Sequence, residues 1–137
     1  MKALVALALI AAAPPQQKFD LVCTGETKRD LTALGSPYNV TLHVDLEARK
    51  WCEGECSKIY DIAEVQPSII YFEKESSEDK LLHNQRAHFV NRQNGGYIRH
   101  ISERVEAGIA SFRSERFTQG VCEKAPFSGF AKVTTKF

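Results

Sequence analysis

The chain lacks three things: a surplus of charge of either sign, an apolar run long enough to cross a membrane, and the short motifs that mark common catalytic centres. Lys+Arg number 18 and Asp+Glu 17. Nucleic-acid binding leaves a basic electrostatic footprint, so with charges this balanced no nucleic-acid partner is expected. The longest apolar stretch, residues 3–13, falls short of the roughly 20 residues that a bilayer span requires, and no transmembrane segment is expected in the mature form. A Gly-x-Ser-x-Gly elbow, a phosphate-cradling glycine loop and a Cys-x-x-Cys pair are all missing. No catalytic residue can be named, so an enzyme is not expected, nor is a cofactor. Acidic side chains are plentiful, yet nothing sets Asp45, Glu47, Asp61 or Glu64 apart as an acid/base pair.

What is present begins at the first residue. Met1 and Lys2 precede an apolar run that ends in Ala11, Ala12 and Ala13. A charged start, a short apolar stretch and small residues at the cut are the design of a secretory signal peptide. Residues 1–13 are read as that leader and 14–137 as the exported domain. Pro14 is a poor first mature residue, which leaves cleavage after Ala12 as the alternative. The first cysteine is Cys23, too distant for a lipid anchor. The protein is therefore expected in the periplasm or outside the cell. Removing Lys2 leaves cations and anions equal in number. The remainder is one domain by length, able to bury a modest core.

Cys23, Cys52, Cys56 and Cys122 are an even set, which in an oxidising compartment favours two disulfides. Three connectivities are open. Cys52 with Cys56 and Cys23 with Cys122 is the favoured one, because the first pair brackets the turn-like Glu53-Gly54-Glu55 and the second joins the two ends of the domain. The one-residue-longer spacing and the absence of a βαβ context argue against a dithiol catalyst. His43, His83, His88 and His100 have no zinc-finger spacing to the cysteines, so no metal site is expected.

Residues 38–47 alternate Val40, Leu42, Val44 and Leu46 with Thr41, His43, Asp45 and Glu47, the period of a strand with one face in the core and one in water. Phe19, Leu21 and Cys23 alternate likewise. Ile69-Ile70-Tyr71-Phe72 suits a strand buried on both faces. Residues 87–91 and 97–102 flank Gln93-Asn94-Gly95-Gly96, a strong hairpin signal. Residues 73–80 read as a charged loop or short helical turn. Within 101–112 a helical face (Ile101, Val105, Ile109, Phe112) competes with two strands broken near Glu106-Ala107-Gly108, and the strands are favoured. Residues 117–122 close the series. The expected fold is all-β: a single antiparallel meander forming a small barrel or curved sandwich of seven or eight strands, stabilised by disulfides.

Several residues as a set resemble a group of small exported bacterial proteins to which no activity is attached. They are Phe19-Asp20-Leu21-Val22-Cys23-Thr24-Gly25, Trp51-Cys52-Glu53-Gly54-Glu55-Cys56, Val90-Asn91-Arg92, Gly120-Val121-Cys122, Pro126-Phe127-Ser128-Gly129-Phe130 and Thr135-Lys136-Phe137. Ala131 departs from that pattern, where proline is expected. A looser resemblance is to periplasmic lysozyme inhibitors, small exported β-barrels that insert a Ser-Gly-x-x-Tyr loop into the lysozyme cleft; Asn94-Gly95-Gly96-Tyr97 sits at a comparable place. Arg86, Arg92, Arg99, Arg104, Arg113 and Arg116 concentrate in the later half. Guanidinium groups sharing a sheet face would suit an anionic ligand, while a solvated face of cross-strand ion pairs is the plainer expectation. Candidate binding residues are Arg92, Asn94, Gly95, Gly96, Tyr97 and Arg99. The leading expectation is a non-enzymatic binding or envelope-associated module whose partner is a protein or small ligand of the cell envelope. An inhibitor of an envelope-degrading enzyme and a redox protein using Cys52 and Cys56 are the alternatives.

Overall fold

A computed structural model describes residues 16–30, 34–79 and 81–130. The expected leader and its cleavage site, and the Thr135-Lys136-Phe137 tail with Ala131, lie outside them.

The described residues form nine strands: β1 (Lys18–Arg29), β2 (Ser36–Asp45), β3 (Lys50–Glu53), β4 (Tyr60–Asp61), β5 (Glu64–Val65), β6 (Ile69–Glu78), β7 (Leu82–Asn91), β8 (Gly96–Ala107) and β9 (Ala110–Pro126). They form one antiparallel sheet in the order β4-β3-β2-β1-β9-β8-β7-β6-β5, curled into a half-barrel. The two outermost strands, β4 and β5, are separated only by Ile62 and Ala63. Their facing ends are thus no more than about 11 Å apart along the chain, and the sheet must curl until its edges nearly meet there. Ile62 is buried in the gap, its N–H bonded to the Arg49 carbonyl. Among the described residues there is no helix, and so none long and apolar enough to cross a membrane.

The concave face holds the core. Trp51 on β3 has no exposed surface and reaches across the interior, its ring 5.1 Å from Phe72 of β6 and 5.0 Å from His88 of β7, with Tyr60 stacked at 4.9 Å. Leu21, Leu42, Val44, Ile70, Val90 and Tyr97 fill the space around it. Both expected disulfides are formed, Cys23 with Cys122 and Cys52 with Cys56. The long one joins directly opposed residues of β1 and β9, the strands that bring the two ends of the domain together.

The structure corrects four details of the sequence reading. Three short strands, β3, β4 and β5, bring the count to nine rather than seven or eight. Residues 73–78 are not a loop: β6 continues through them because β7 supplies a ladder partner as far as His83 opposite Glu78, and backbone pairing does not require apolar side chains. The segment 69–72 is buried on one face only, with Ile70 and Phe72 inside while Ile69 and Tyr71 are half-exposed. The polar face of β2 is not in water throughout, since His43 and Asp45 are buried under the Gly54 turn, Lys18 and Ser128. Within 101–112 the strand reading holds, with β8 and β9 joined by a turn at Gly108 and Ile109 and Val105 opposite Phe112.

The Asn-Gly hairpin also forms. Asn91 folds its side-chain oxygen back to accept from the Gln93 N–H at 2.8 Å, and Gly95 N–H donates to the Asn91 carbonyl at 2.9 Å. Gly95 sits at φ 73°, where side chains are strained, and a Cβ there would strike the Cys122 carbonyl that crosses beneath it.

Candidate functional site

Residues paired in register share a sheet face, so the ladders place every side chain of the interior. One row crosses six strands as Glu73, His88, Arg99, Thr118, Thr27 and Ser36. The next row outward reads Arg86, Ile101, Arg116 and Arg29. On the inner side lies the row Val90, Tyr97, Gly120, Gly25 and Tyr38, where the core begins. The concave face is therefore apolar at the Trp51 end and polar at the other.

The boundary row explains how the polar half is held open. Tyr38 and Tyr97 stand on strands three steps apart, which in a flat sheet would separate them by about 14 Å. Their rings stack with centroids 6.0 Å apart and their hydroxyls meet at 3.2 Å. They lean over Gly25 and Gly120, paired residues with no side chain to intervene. A Cβ at Gly25 would run into the Gln119 carbonyl, and one at Gly120 into that of Thr24. The two glycines thus permit both the close approach of β1 to β9 and the tyrosine contact above it.

Over this floor lies an open cavity of ≈ 720 Å³. Arg29, Arg99 and Arg116 line it together with Thr27, Ser36, Tyr38 and Thr118, while Leu34 and Ile101 add apolar wall. Glu53 is the single carboxylate in the lining, and it pairs with Arg99 at 3.2 Å across the hollow from β3 to β8. Thr27 and Thr118 share a hydroxyl bond of 2.9 Å. Burial pulls the Arg99 pKa down, but the Glu53 charge and the tyrosine oxygens outweigh it and the net shift is upward, so the guanidinium stays charged. Its Nε is buried without a hydrogen-bond partner.

Beside Arg99 stands His88, fully buried, its ring packed on Trp51, Phe72 and Tyr97 with neither nitrogen hydrogen-bonded. Burial, and after it the charge of Arg99, pushes its pKa down to about 3. The imidazole is neutral at any ordinary pH. Burial and the bond to Tyr38 push the Tyr97 hydroxyl upward, so it too is uncharged.

A second polar cluster lies on the opposite face. His43 Nδ1 is 2.8 Å from Asp20 Oδ1 and 3.1 Å from Ser128 Oγ, which donates to Asp20 Oδ2 at 2.6 Å. His43 Nε2 donates to the Gly54 carbonyl at 2.9 Å. The residue types are those of a hydrolytic triad, but the geometry is not. Serine and aspartate contact the same ring nitrogen while the other is committed to backbone, so no nitrogen is left to take a serine proton while the carboxylate orients the ring. The cluster instead pins the Pro126-Phe127-Ser128-Gly129-Phe130 segment and the Gly54 turn to β1 and β2.

Of the residues expected to bind, Arg99 lines the cavity and Tyr97 underlies it. Arg92, Asn94 and Gly95 lie in the hairpin turn near the other end of the sheet and Gly96 opens β8 beside them, with Arg92 donating to the Gln66 carbonyl at 3.3 Å. Tyr97 is only 1 % exposed, so the turn does not present it to a cleft. Cys52 and Cys56 are likewise buried. Among the described residues no group of three or more His, Cys, Asp or Glu converges on a point where a metal ion could sit. Sequence reasoning missed Arg29, Ser36, Tyr38, Glu53, Thr27 and Thr118. The signal for some of them was available: with Cys23 opposite Cys122, six residues onward from one cysteine and six back from the other puts Arg29 opposite Arg116. Comparison with protein-family models, with curated proteins and with solved structures finds no match.

Proposed function

We propose that this chain is an exported, non-enzymatic binding module of the cell envelope, periplasmic or secreted, and that it holds a small ligand or a segment of a protein partner in the concave cavity. The observation that carries this reading is the cavity itself: ≈ 720 Å³ with three guanidinium groups and four hydroxyl-bearing side chains converging on it from four strands. A hollow of this size with a few convergent polar groups beside a rigid apolar floor is the usual form of a small-ligand site. Two disulfides support an oxidising compartment. Binding rather than turnover is favoured because the serine, histidine and aspartate that meet among the described residues are arranged as a structural clasp.

The test is mass spectrometry of the protein purified from the envelope of its own host, under native and then denaturing, non-reducing conditions. A mature mass lacking the leader and the hydrogens of two disulfides, with added mass only in the native spectrum, is the expected result. An uncleaved chain with free thiols would overturn the compartment and, with it, the envelope role.

A further inference from the structure

The six arginines that stand on strands fall into two groups. Arg86, Arg104 and Arg113 each have a glutamate within 3.2–3.4 Å, and so does Arg99. Arg29 and Arg116 have no ion pair and no side-chain hydrogen bond among the described residues, yet they stand directly opposite each other on β1 and β9 and both line the cavity. Like charges at opposed positions of an antiparallel pair, with Cβ atoms about 5 Å apart, destabilise a sheet. The cavity lining carries three cations and one carboxylate, an excess of two positive charges in a chain whose whole sequence nets +1. A local excess of positive charge thus lies where a ligand would sit.

We propose that the cavity receives an oxyanion borne on a hydroxylated body, with the phosphate or carboxylate held between the Arg29 and Arg116 guanidinium groups and the hydroxyls against Thr27, Thr118 and Ser36. Planar guanidinium forks match the paired oxygens of such groups and bind them by charge-assisted hydrogen bonds. The threonine and serine hydroxyls both donate and accept, as polyol recognition requires. Glu53 leaves Arg99 neutralised at the floor, so the unpaired cations lie at the mouth, where an anion enters first. This inference rests on the binding reading above and names the chemistry of its ligand, which is shared by free sugar phosphates and sugar acids and by phosphoglycerol lipid headgroups.

The experiment measures binding of glucose 6-phosphate, glucuronate and glucose to the disulfide-bonded mature protein by calorimetry, and co-sedimentation with phosphatidylcholine vesicles with and without phosphatidylglycerol. The expected result is that an anionic probe binds and glucose does not. Arg29→Gln and Arg116→Gln each weaken it about ten- to hundred-fold, the loss of charge-assisted bonds, Arg116→Lys keeps part of the affinity, and Arg113→Gln on the opposite face changes nothing. Binding of the soluble anions assigns a free ligand, and binding confined to phosphatidylglycerol vesicles assigns a headgroup; both support the proposal if the two Arg→Gln variants weaken it to that extent. Glucose binding as well as its phosphate, indifferent to Arg29 and Arg116, overturns the anion while leaving the cavity a binding site. No probe bound and no copurifying mass in the native spectrum overturns both. Arg29 and Arg116 are exposed, so their variants are expected to fold, which circular dichroism checks.

Discussion

Lowering the pH should withdraw one contribution to stability that belongs to His88, and replacing that residue by phenylalanine should remove that contribution. The folded-state pKa of His88 is about 3, against 6.5 for a free imidazole, because burial and the neighbouring Arg99 disfavour the charged form. Above the unfolded value both states are neutral and the group contributes no pH dependence. Between the two values the unfolded chain takes up a proton that the folded one refuses, so stability falls as pH falls, by about 1.4 kcal/mol per pH unit. The loss amounts to about 2 kcal/mol on going from the free-imidazole value to about pH 5, and to about 4 or 5 kcal/mol near pH 3. His88→Phe keeps the ring against Trp51, Phe72 and Tyr97 while discarding two buried nitrogens that have no partner, each orphan costing about 1–3 kcal/mol. The variant should therefore be at least as stable as the parent at neutral pH and pull ahead of it in acid. Urea denaturation followed by the fluorescence of Trp51, the sole tryptophan, measures both proteins across the range. The remaining histidines and carboxylates are common to the two and cancel in the difference. Parallel stability profiles for parent and His88→Phe would refute the reasoning, since they would mean that His88 protonates equally in both states.

The two disulfides should differ in weight: replacing both Cys23 and Cys122 by serine should cost up to about 4.7 kcal/mol, and replacing Cys52 and Cys56 about 2 kcal/mol, since closing a long loop removes more chain entropy than closing a short one. Denaturant midpoints of the two double variants give the comparison, and equal losses would count against the chain-entropy account. Gly120→Ala should destabilise by about 3 kcal/mol, at the top of the range for overpacking, because the added methyl meets the Thr24 carbonyl rather than a side chain that can move; a near-neutral midpoint shift would show that β1 and β9 can separate there.

Much of the fold was legible because β-sheet burial leaves a period of two. Leu21 and Cys23, and Val40, Leu42 and Val44, read as inward on the page and are inward in the structure. The Asn-Gly hairpin and the preferred disulfide pairing were readable for equally local reasons, a left-handed turn residue and a bracketed turn. What was illegible lies where side chains are polar on both faces. In β6 beyond Phe72 and at the outer ends of β1 and β9, alternation in sequence carries no hydrophobic signal, so Glu73, Glu75, Arg29 and Arg116 look like loop or solvated edge. Their placement follows from ladder register, which depends on partners up to about ninety residues away. The same holds for the site. Ser36, Glu53, Arg99 and Thr118 have no common motif and are gathered by curl alone.

That curl also divides the labour of the interior. At the β4–β5 end the sheet nearly closes, and Trp51 can touch Phe72 of β6 and His88 of β7 on the far wall; there the interior is mostly apolar. Past the row of Tyr38, Gly25, Gly120 and Tyr97 the same strands diverge from closure and carry arginine, threonine and serine inward. Stability does not account for those choices. An apolar interior would cost less than a buried guanidinium whose Nε has no partner, beside an imidazole with two more such atoms. Nor does solubility, because Arg29 and Arg116 repel each other at a place where an alternating charge pair, of the kind this chain uses at Arg104 with Glu106 and at Arg113 with Glu115, would serve equally well. The floor of the cavity is rigid, tied by two glycines, two stacked tyrosines and a cross-strand disulfide one row away, whereas its rim is charged and unsatisfied. A rigid floor beneath an unsatisfied rim is what a pre-organised receptor needs, since the cost of arranging the groups is met in folding and not at the moment of binding.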